Sequence, residues 1–434
     1  MKIWKQKLPL LLILSIFTAT FFVYRDFGIR MILGFGVLGA FLLADTAQRI
    51  PERCLPKIHP VRVAMLMLAA VVTANFLRPD SQHSTDTVSY IIAMVICTGF
   101  VWLWRENDRE CGWVLKLLLG AACAVTTFVV AYLLFPEQVY GFLYPRLTPV
   151  AQHYFDYFRP FGYGISLGGY TFTAYLIFCG IAVCWGRIAA KKWNRASFLW
   201  LGLIFLFGFA ILTLGRRGEL LMAVVLCAAM VLLLCRPKVR IALILGGIAT
   251  AALGIWAFIR FLPQFKEIDF LYRYVRTVEN LLNGYDFTSG RTGLFALAIE
   301  GFRSAPLFGI GFDQFHTLVN PLLTDIEGNV MQDAHNIYLQ MLCETGIVGT
   351  LLTLAPLFWL LVTTFRALTL ARKGEGRRGT EPLTVSLLIQ SYLLLLGLLD
   401  PTFQKIVFWC FYGVAAMLLI VGMDQSGFRK EGRK

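Results

Sequence analysis

Charged side chains are scarce in this chain: 15% of its 434 residues, against 58% hydrophobic, with a mean hydropathy of +0.67. Soluble domains carry about a quarter charged residues, so an ordinary soluble fold is excluded. Histidine is rarer still, with five in the whole sequence, and no Cys/His spacing suits zinc. Of the ten cysteines, only Cys343 falls toward the outer side of the topology drawn below, which argues against a disulfide framework in the outer loops. Low-complexity tracts and internal repeats are absent as well, so a transporter built from two related halves has no support. The first apolar stretch runs into a second without a small-residue cleavage site, which reads as an uncleaved first span.

What the chain has in abundance is apolar runs long enough to cross about 30 Å of hydrocarbon. They predict an all-α integral membrane protein of about twelve spans. The spans lie near Leu8–Val23, Met31–Leu43, Val63–Leu77, Val88–Trp104, Trp113–Phe135, Tyr170–Trp185, Phe198–Leu214, Leu220–Cys235, Ile241–Leu262, Gly346–Phe365, Leu383–Leu399 and Ile406–Val421. This divides the chain into 1–262 with spans one to nine and an outer loop 136–169, a long extracytoplasmic loop 263–345 containing short helices, and 346–434 with the last three spans and a tail.

Lysine and arginine set the orientation, because positive short loops stay on the cytoplasmic side. Lys2/Lys5/Lys7, Arg49/Arg53/Lys57/Arg62, Arg187/Lys191/Lys192/Arg195, Arg236/Lys238/Arg240, Arg366/Arg372/Lys373/Arg377/Arg378 and Arg429/Lys430/Arg433/Lys434 all fall on one side. Both termini are then expected in the cytoplasm. The net charge of +14 is largely topological and implies no nucleic-acid partner.

Polar residues that remain at or outside the membrane carry the chemistry. Arg216-Arg217-Gly218-Glu219 joins two spans with almost no loop, and Glu219 can neutralise one guanidinium only. The pair reads either as an interfacial anchor or as a phosphate site, since arginine forks match phosphate oxygens. In the long loop, Thr288-Ser289-Gly290-Arg291 precedes a helix that ends near Arg303. Ser289 or Thr288 is placed to cap it, and Pro306-Leu307-Phe308-Gly309-Ile310-Gly311 reads as a helix stop and glycine-rich turn. Arg291 in the first turn can hold an anion together with the helix-end amides, or pair with an acid such as Asp286.

Near the end of the loop, Asp333-Ala334-His335-Asn336 leads into Ile337-Tyr338-Leu339 and a helix entering the tenth span. Imidazole transfers protons near neutrality, and Asp333 or Glu344 is available to orient it; the alternative is a structural hydrogen-bonder. In the first outer loop, Tyr140, Tyr144, Tyr154, Phe155, Tyr157, Phe158 and Tyr163 suit sugar stacking or an interfacial aromatic belt.

Three features occur in one order: the arginine after the seventh span, Gly-Arg followed by a helix and Pro-Leu-Phe-Gly-Ile-Gly, and His-Asn-x-Tyr-Leu followed by Glu-x-Gly-Ile-x-Gly. In these the chain resembles the O-antigen ligase and polymerase superfamily of lipid-linked glycan transferases. The loop motifs span roughly Ser289 to Gly349, and the topology extends the likeness along the chain. The resemblance implies transfer of a glycan from undecaprenyl pyrophosphate, on the outer face of the bacterial cytoplasmic membrane, to an acceptor hydroxyl, with no cofactor and no metal. It assigns the essential outer arginine to Arg216 or Arg217, the loop arginine to Arg291 and the histidine to His335. Glu219, Asp333, Asn336, Tyr338 and Glu344 are the supporting residues.

On this reading, arginines clamp the diphosphate while its charge grows, and His335 takes the acceptor's proton in an inverting displacement. A paired-carboxylate glycosidase machinery is not required. A polymerase accepts a second undecaprenyl-linked glycan and a ligase accepts lipid A core. The outer cations Arg146, Arg159, Arg260, Arg273, Arg276 and Arg303 favour the polymerase, although an anionic core would use them too. Polysaccharide-assembly proteins are further expected partners. A flippase for a lipid-linked anion and an envelope scaffold are the rival classes. Were a metal involved, Asp313, Asp325 and Asp333 would be its first ligands.

Overall fold

The computed structural model describes residues 58–82, 85–103, 108–147, 149–158, 170–191, 194–234, 237–285, 288, 291–319, 333–374 and 377–428. The first two expected spans, the basic residues before Ile58, and Arg159, Tyr163, Asp286, Ser289 and Asp325 lie outside them. The described residues are helical throughout, with short turns between helices. They are α1 Pro60–Phe76, α2 Thr85–Leu103, α3 Asp108–Leu134, α4 Pro136–Leu143, α5 Pro149–Phe158, α6 Tyr170–Ala190, α7 Arg195–Thr213, α8 Arg217–Leu234, α9 Pro237–Arg260, α10 Leu262–Lys266, α11 Tyr272–Leu282, α12 Arg291–Ser304, α13 Ile337–Lys373, α14 Thr380–Leu396 and α15 Ile406–Ser426.

Each of the ten expected spans from Val63 onward coincides with one of these helices. Seven of the described helices are long and apolar enough to cross a membrane. The chain is a multi-pass membrane protein. The shorter apolar helices are Pro60–Phe76, the Tyr90–Trp102 part of α2, and Thr380–Leu396. In α14 the buried Thr384, Ser386 and Gln390 interrupt the apolar run.

Local chemistry explains where helices begin. Proline occupies the first position of α1, α4, α5 and α9, where its missing N–H costs no hydrogen bond. Asn194 and Ser197 cap α7 reciprocally, each side chain taking the other's backbone N–H. Asn336 caps α13, its side chain accepting from the amides of Tyr338 (3.1 Å) and Leu339 (3.2 Å).

The chain forms two compact units. Among the described residues the first comprises 58–115 and 288–428. Here α15 packs on α14 and α2, while α13 packs on α1, α12 and α14. The second comprises 116–285, where α6 packs on α7 and α8. Gly180 of α6 explains the close approach there, since a Cβ would meet Ala122 at 2.6 Å and Phe207 at 2.7 Å. The long loop of the sequence is shared between the units, with α10 and α11 in the second and α12 in the first.

Candidate active site

The motif region of the first unit is built around a broken helix. At about 1.5 Å per residue, the 37 residues of α13 far exceed the hydrocarbon thickness, and Gly346 breaks the helix at φ 64°, ψ −172°. Such a break strips carbonyls and amides of their partners, at about 1–3 kcal/mol for each left buried and unpaired. The Pro306–Gly311 turn satisfies them. Ile310 and Gly311 donate their N–H groups to the carbonyls of Cys343 and Glu344, both at 3.0 Å. Ile347 and Val348 donate to the carbonyls of Pro306 (2.9 Å) and Leu307 (3.2 Å).

Three features hold the turn in this position. Arg78 donates to the carbonyls of Phe308 and Gly309. Gln82 N–H donates to the Phe312 carbonyl at 2.9 Å. Thr87 donates to the Asp313 carboxylate at 2.8 Å. Beneath it, α12 rests on α13 through a small apolar core of Leu294, Ala298, Phe315, Val319, Ala334 and Cys343. Gly301 makes this packing close, because a Cβ there would lie 2.4 Å from Cys343 Sγ.

That core positions two of the expected site residues. Arg291 begins α12, and His335 stands two residues before α13 at φ 49°, the left-handed region. Both segments reach the same turn after α14. Arg291 donates to the Leu399 carbonyl at 3.1 Å, Ile337 N–H to the Gly397 carbonyl at 2.8 Å, and the Tyr338 hydroxyl to the Leu394 carbonyl at 2.5 Å. Gly397 and Leu399 lie just past the end of α14, where a cation suits the helix dipole, while the Leu394 carbonyl, in the last turn of α14, also accepts from Gly397 N–H at 3.1 Å. The same turn carries the Lys405–Asp400 ion pair. Asp333 is half-buried, and burial pushes its carboxyl above the usual range, while the nearby Lys405 charge pulls it the other way. Glu344 is buried, and its carboxylate accepts from Phe315 N–H and Gln340 at 3.2 Å and from Gln404 at 3.4 Å.

The second unit gathers the other expected cations. Arg216 pairs with Glu219 through its Nε at 2.6 Å, and its Nη2 donates to Thr171 at 2.6 Å. Arg217 donates to the Thr277 hydroxyl. Helix α11 lies against this hairpin, with Arg273 donating to the Gly215 carbonyl at 3.1 Å and the Tyr274 hydroxyl to the Leu212 carbonyl at 3.2 Å. Burial pushes the Tyr274 hydroxyl well above its usual range. Three guanidiniums thus surround one turn whose nearby carboxylate, Glu219, is engaged by Arg216.

Sequence reasoning named Arg273 only as a spare outer cation and missed Thr171, Tyr274 and Thr277. The available signal was the four-residue spacing of Arg273 and Thr277, which puts both on one face of α11. In the hairpin of α4 and α5, Tyr140 packs on Tyr144 and Phe155, with ring centroids 4.8 and 5.4 Å apart. The Tyr144 hydroxyl bonds Asp156 at 2.6 Å, which pushes it up to about 12. These rings are therefore occupied largely with one another.

No curated protein matches the chain. A family model described as O-antigen ligase matches residues 201–354, about a third of the chain, running from α7 through the Arg216–Arg217 hairpin, Arg291 and the His335 segment to beyond the break at Gly346. By this match residues 201–354 are similar to the O-antigen ligase family.

Proposed function

We propose that the chain is a membrane glycosyltransferase that moves an oligo- or polysaccharide from undecaprenyl pyrophosphate to a sugar hydroxyl. It works at the extracytoplasmic face of the bacterial inner membrane, with both termini in the cytoplasm. The observation that carries this reading is the meeting of Arg291 and the His335 segment on the turn after α14. A strong anion binder and a proton acceptor on one support are what diphosphate displacement needs.

In the proposed step the acceptor hydroxyl oxygen attacks the anomeric carbon. The carbon–oxygen bond to the diphosphate breaks, its electron pair leaves with the lipid diphosphate, and the hydroxyl proton passes to His335. A single displacement inverts the anomeric centre. Arg291 stabilises the growing phosphate charge, and Arg216 and Arg217 bind donor diphosphate. Asn336 and Tyr338 hold the His335 segment by the cap and the Leu394 bond described above.

A second lipid-linked glycan is the favoured acceptor, which makes the enzyme a polymerase of O-antigen or exopolysaccharide. Arg273 beside Arg216 and Arg217 supports this, since two diphosphate lipids call for more cations than one. The description of the matched family favours the other acceptor, lipid A core. Incubating the purified chain with a short undecaprenyl pyrophosphate glycan, with and without lipid A core, separates the two. Longer lipid-linked glycans indicate the polymerase and modified core the ligase. Movement of intact donor across a vesicle with neither product would overturn the enzyme reading.

A further inference from the structure

His335 adopts a backbone conformation that costs a non-glycine residue about 1–3 kcal/mol and persists only where its surroundings enforce it. On its far side the Asn336 cap and the Ile337–Gly397 bond supply that enforcement. On its near side stands Ala334, fully buried, whose N–H must find an acceptor inside the protein. The acceptor is the Gln340 side chain, one turn into α13, with Oε1 at 3.2 Å.

Gln340 is itself held by a closed ring of hydrogen bonds. Its Nε2 donates to Glu344 Oε1 at 3.2 Å and to Gln404 Oε1 at 3.1 Å. Gln404 Nε2 closes the ring on Glu344 Oε2 at 3.4 Å. Phe315 N–H, from the loop beyond the Pro306–Gly311 turn, donates to Glu344 Oε1 as well. The directions are mutually fixed. Turning the Gln340 amide over would set N–H against the Ala334 N–H and oxygen against the Glu344 carboxylate. Gln340 and Glu344 are each 2% exposed, so a lost member of the ring leaves donors or acceptors unpaired in a low-dielectric interior. A leucine at 340 would fill similar space, yet it would offer Ala334 no acceptor.

We propose that Gln340, locked by Glu344 and Gln404, is a positioning residue that fixes the His335 backbone and so aims its imidazole at the acceptor hydroxyl. This rests on the glycan-transfer reading in taking His335 as the proton acceptor. The positioning itself stands on the hydrogen bonds.

The test uses the full chain in nanodiscs with isotope-labelled histidine, the His335 signal being the one missing from His335→Ala. Gln340→Leu is expected to move that signal while those of His59, His153 and His316 stay in place. It is also expected to lower kcat on the order of 100-fold with the donor KM unchanged, as a misplaced reacting group does. Gln404→Leu leaves the Ala334 bond and removes one ring member, so it should move the signal less, and it serves if Gln340→Leu fails to fold. A His335 signal unchanged in the folded variants, or a kcat undiminished in Gln340→Leu, would overturn the proposal. A moved signal in a protein whose wild type transfers no glycan would support the positioning and count against the transfer reading alone.

Discussion

Gly309 and Gly346 each leave room for the backbone just before the other. A Cβ on Gly309 would lie 2.3 Å from the Glu344 carbonyl carbon, and one on Gly346 2.4 Å from that of Leu307. Both residues have positive φ, at 73° and 64°. Gly309→Ala and Gly346→Ala should therefore each lower stability by about 1–3 kcal/mol from backbone strain alone, and more from the collision. Both break one docking, so the double variant should cost less than the two single losses added. Thermal melting in detergent measures all three.

The arginine hairpin makes a separate prediction. With Arg216, Arg217 and Arg273 around one turn and Glu219 engaged by Arg216, a bound diphosphate should stabilise the fold. A short-chain polyprenyl diphosphate at about a hundred times its Kd should add about 2.7 kcal/mol. Arg217→Ala should lose most of that gain, read as the ligand-induced shift, because its bond to Thr277 is lost with and without ligand. Glu219→Ala removes the carboxylate from Arg216 and should lower the ligand-free stability by roughly 1–3 kcal/mol.

Asp333 predicts a pH dependence. Burial raises its carboxyl, so the folded state favours the neutral form. That contribution is fully present below the unfolded value of about 3.9 and is lost as pH rises through the folded one. Asp333→Asn keeps the neutral shape at every pH. It should melt higher than wild type at about pH 7 and match it at about pH 3. A lower melting temperature at neutral pH would mean that the attraction to Lys405 outweighs burial.

Periodicity and composition made the helices from Val63 onward legible, because a run of apolar residues long enough for lipid has few alternatives. The helix from Arg291 to near Arg303, and the glycine-rich stop after it, could also be read directly. Hidden from sequence was the purpose of that stop. Gly346 stands in the Glu-x-Gly-Ile-x-Gly motif, yet nothing local announces that it breaks α13 and is repaired by a turn some forty residues earlier. Gln340 and Gln404 were invisible for a related reason. A glutamine shows its role only through partners, and the ring joins residues 64 positions apart. The α11 contacts with the arginine hairpin are similarly non-local.

The most direct measurement follows released undecaprenyl pyrophosphate and extended glycan together, in wild type and in His335→Ala, with the purified chain in nanodiscs. The wild type should form the two products in equal amounts, and His335→Ala should lose on the order of 100- to 10,000-fold in rate while folding normally. Full activity in His335→Ala, or no transfer by the wild type to either acceptor, would contradict the proposed chemistry.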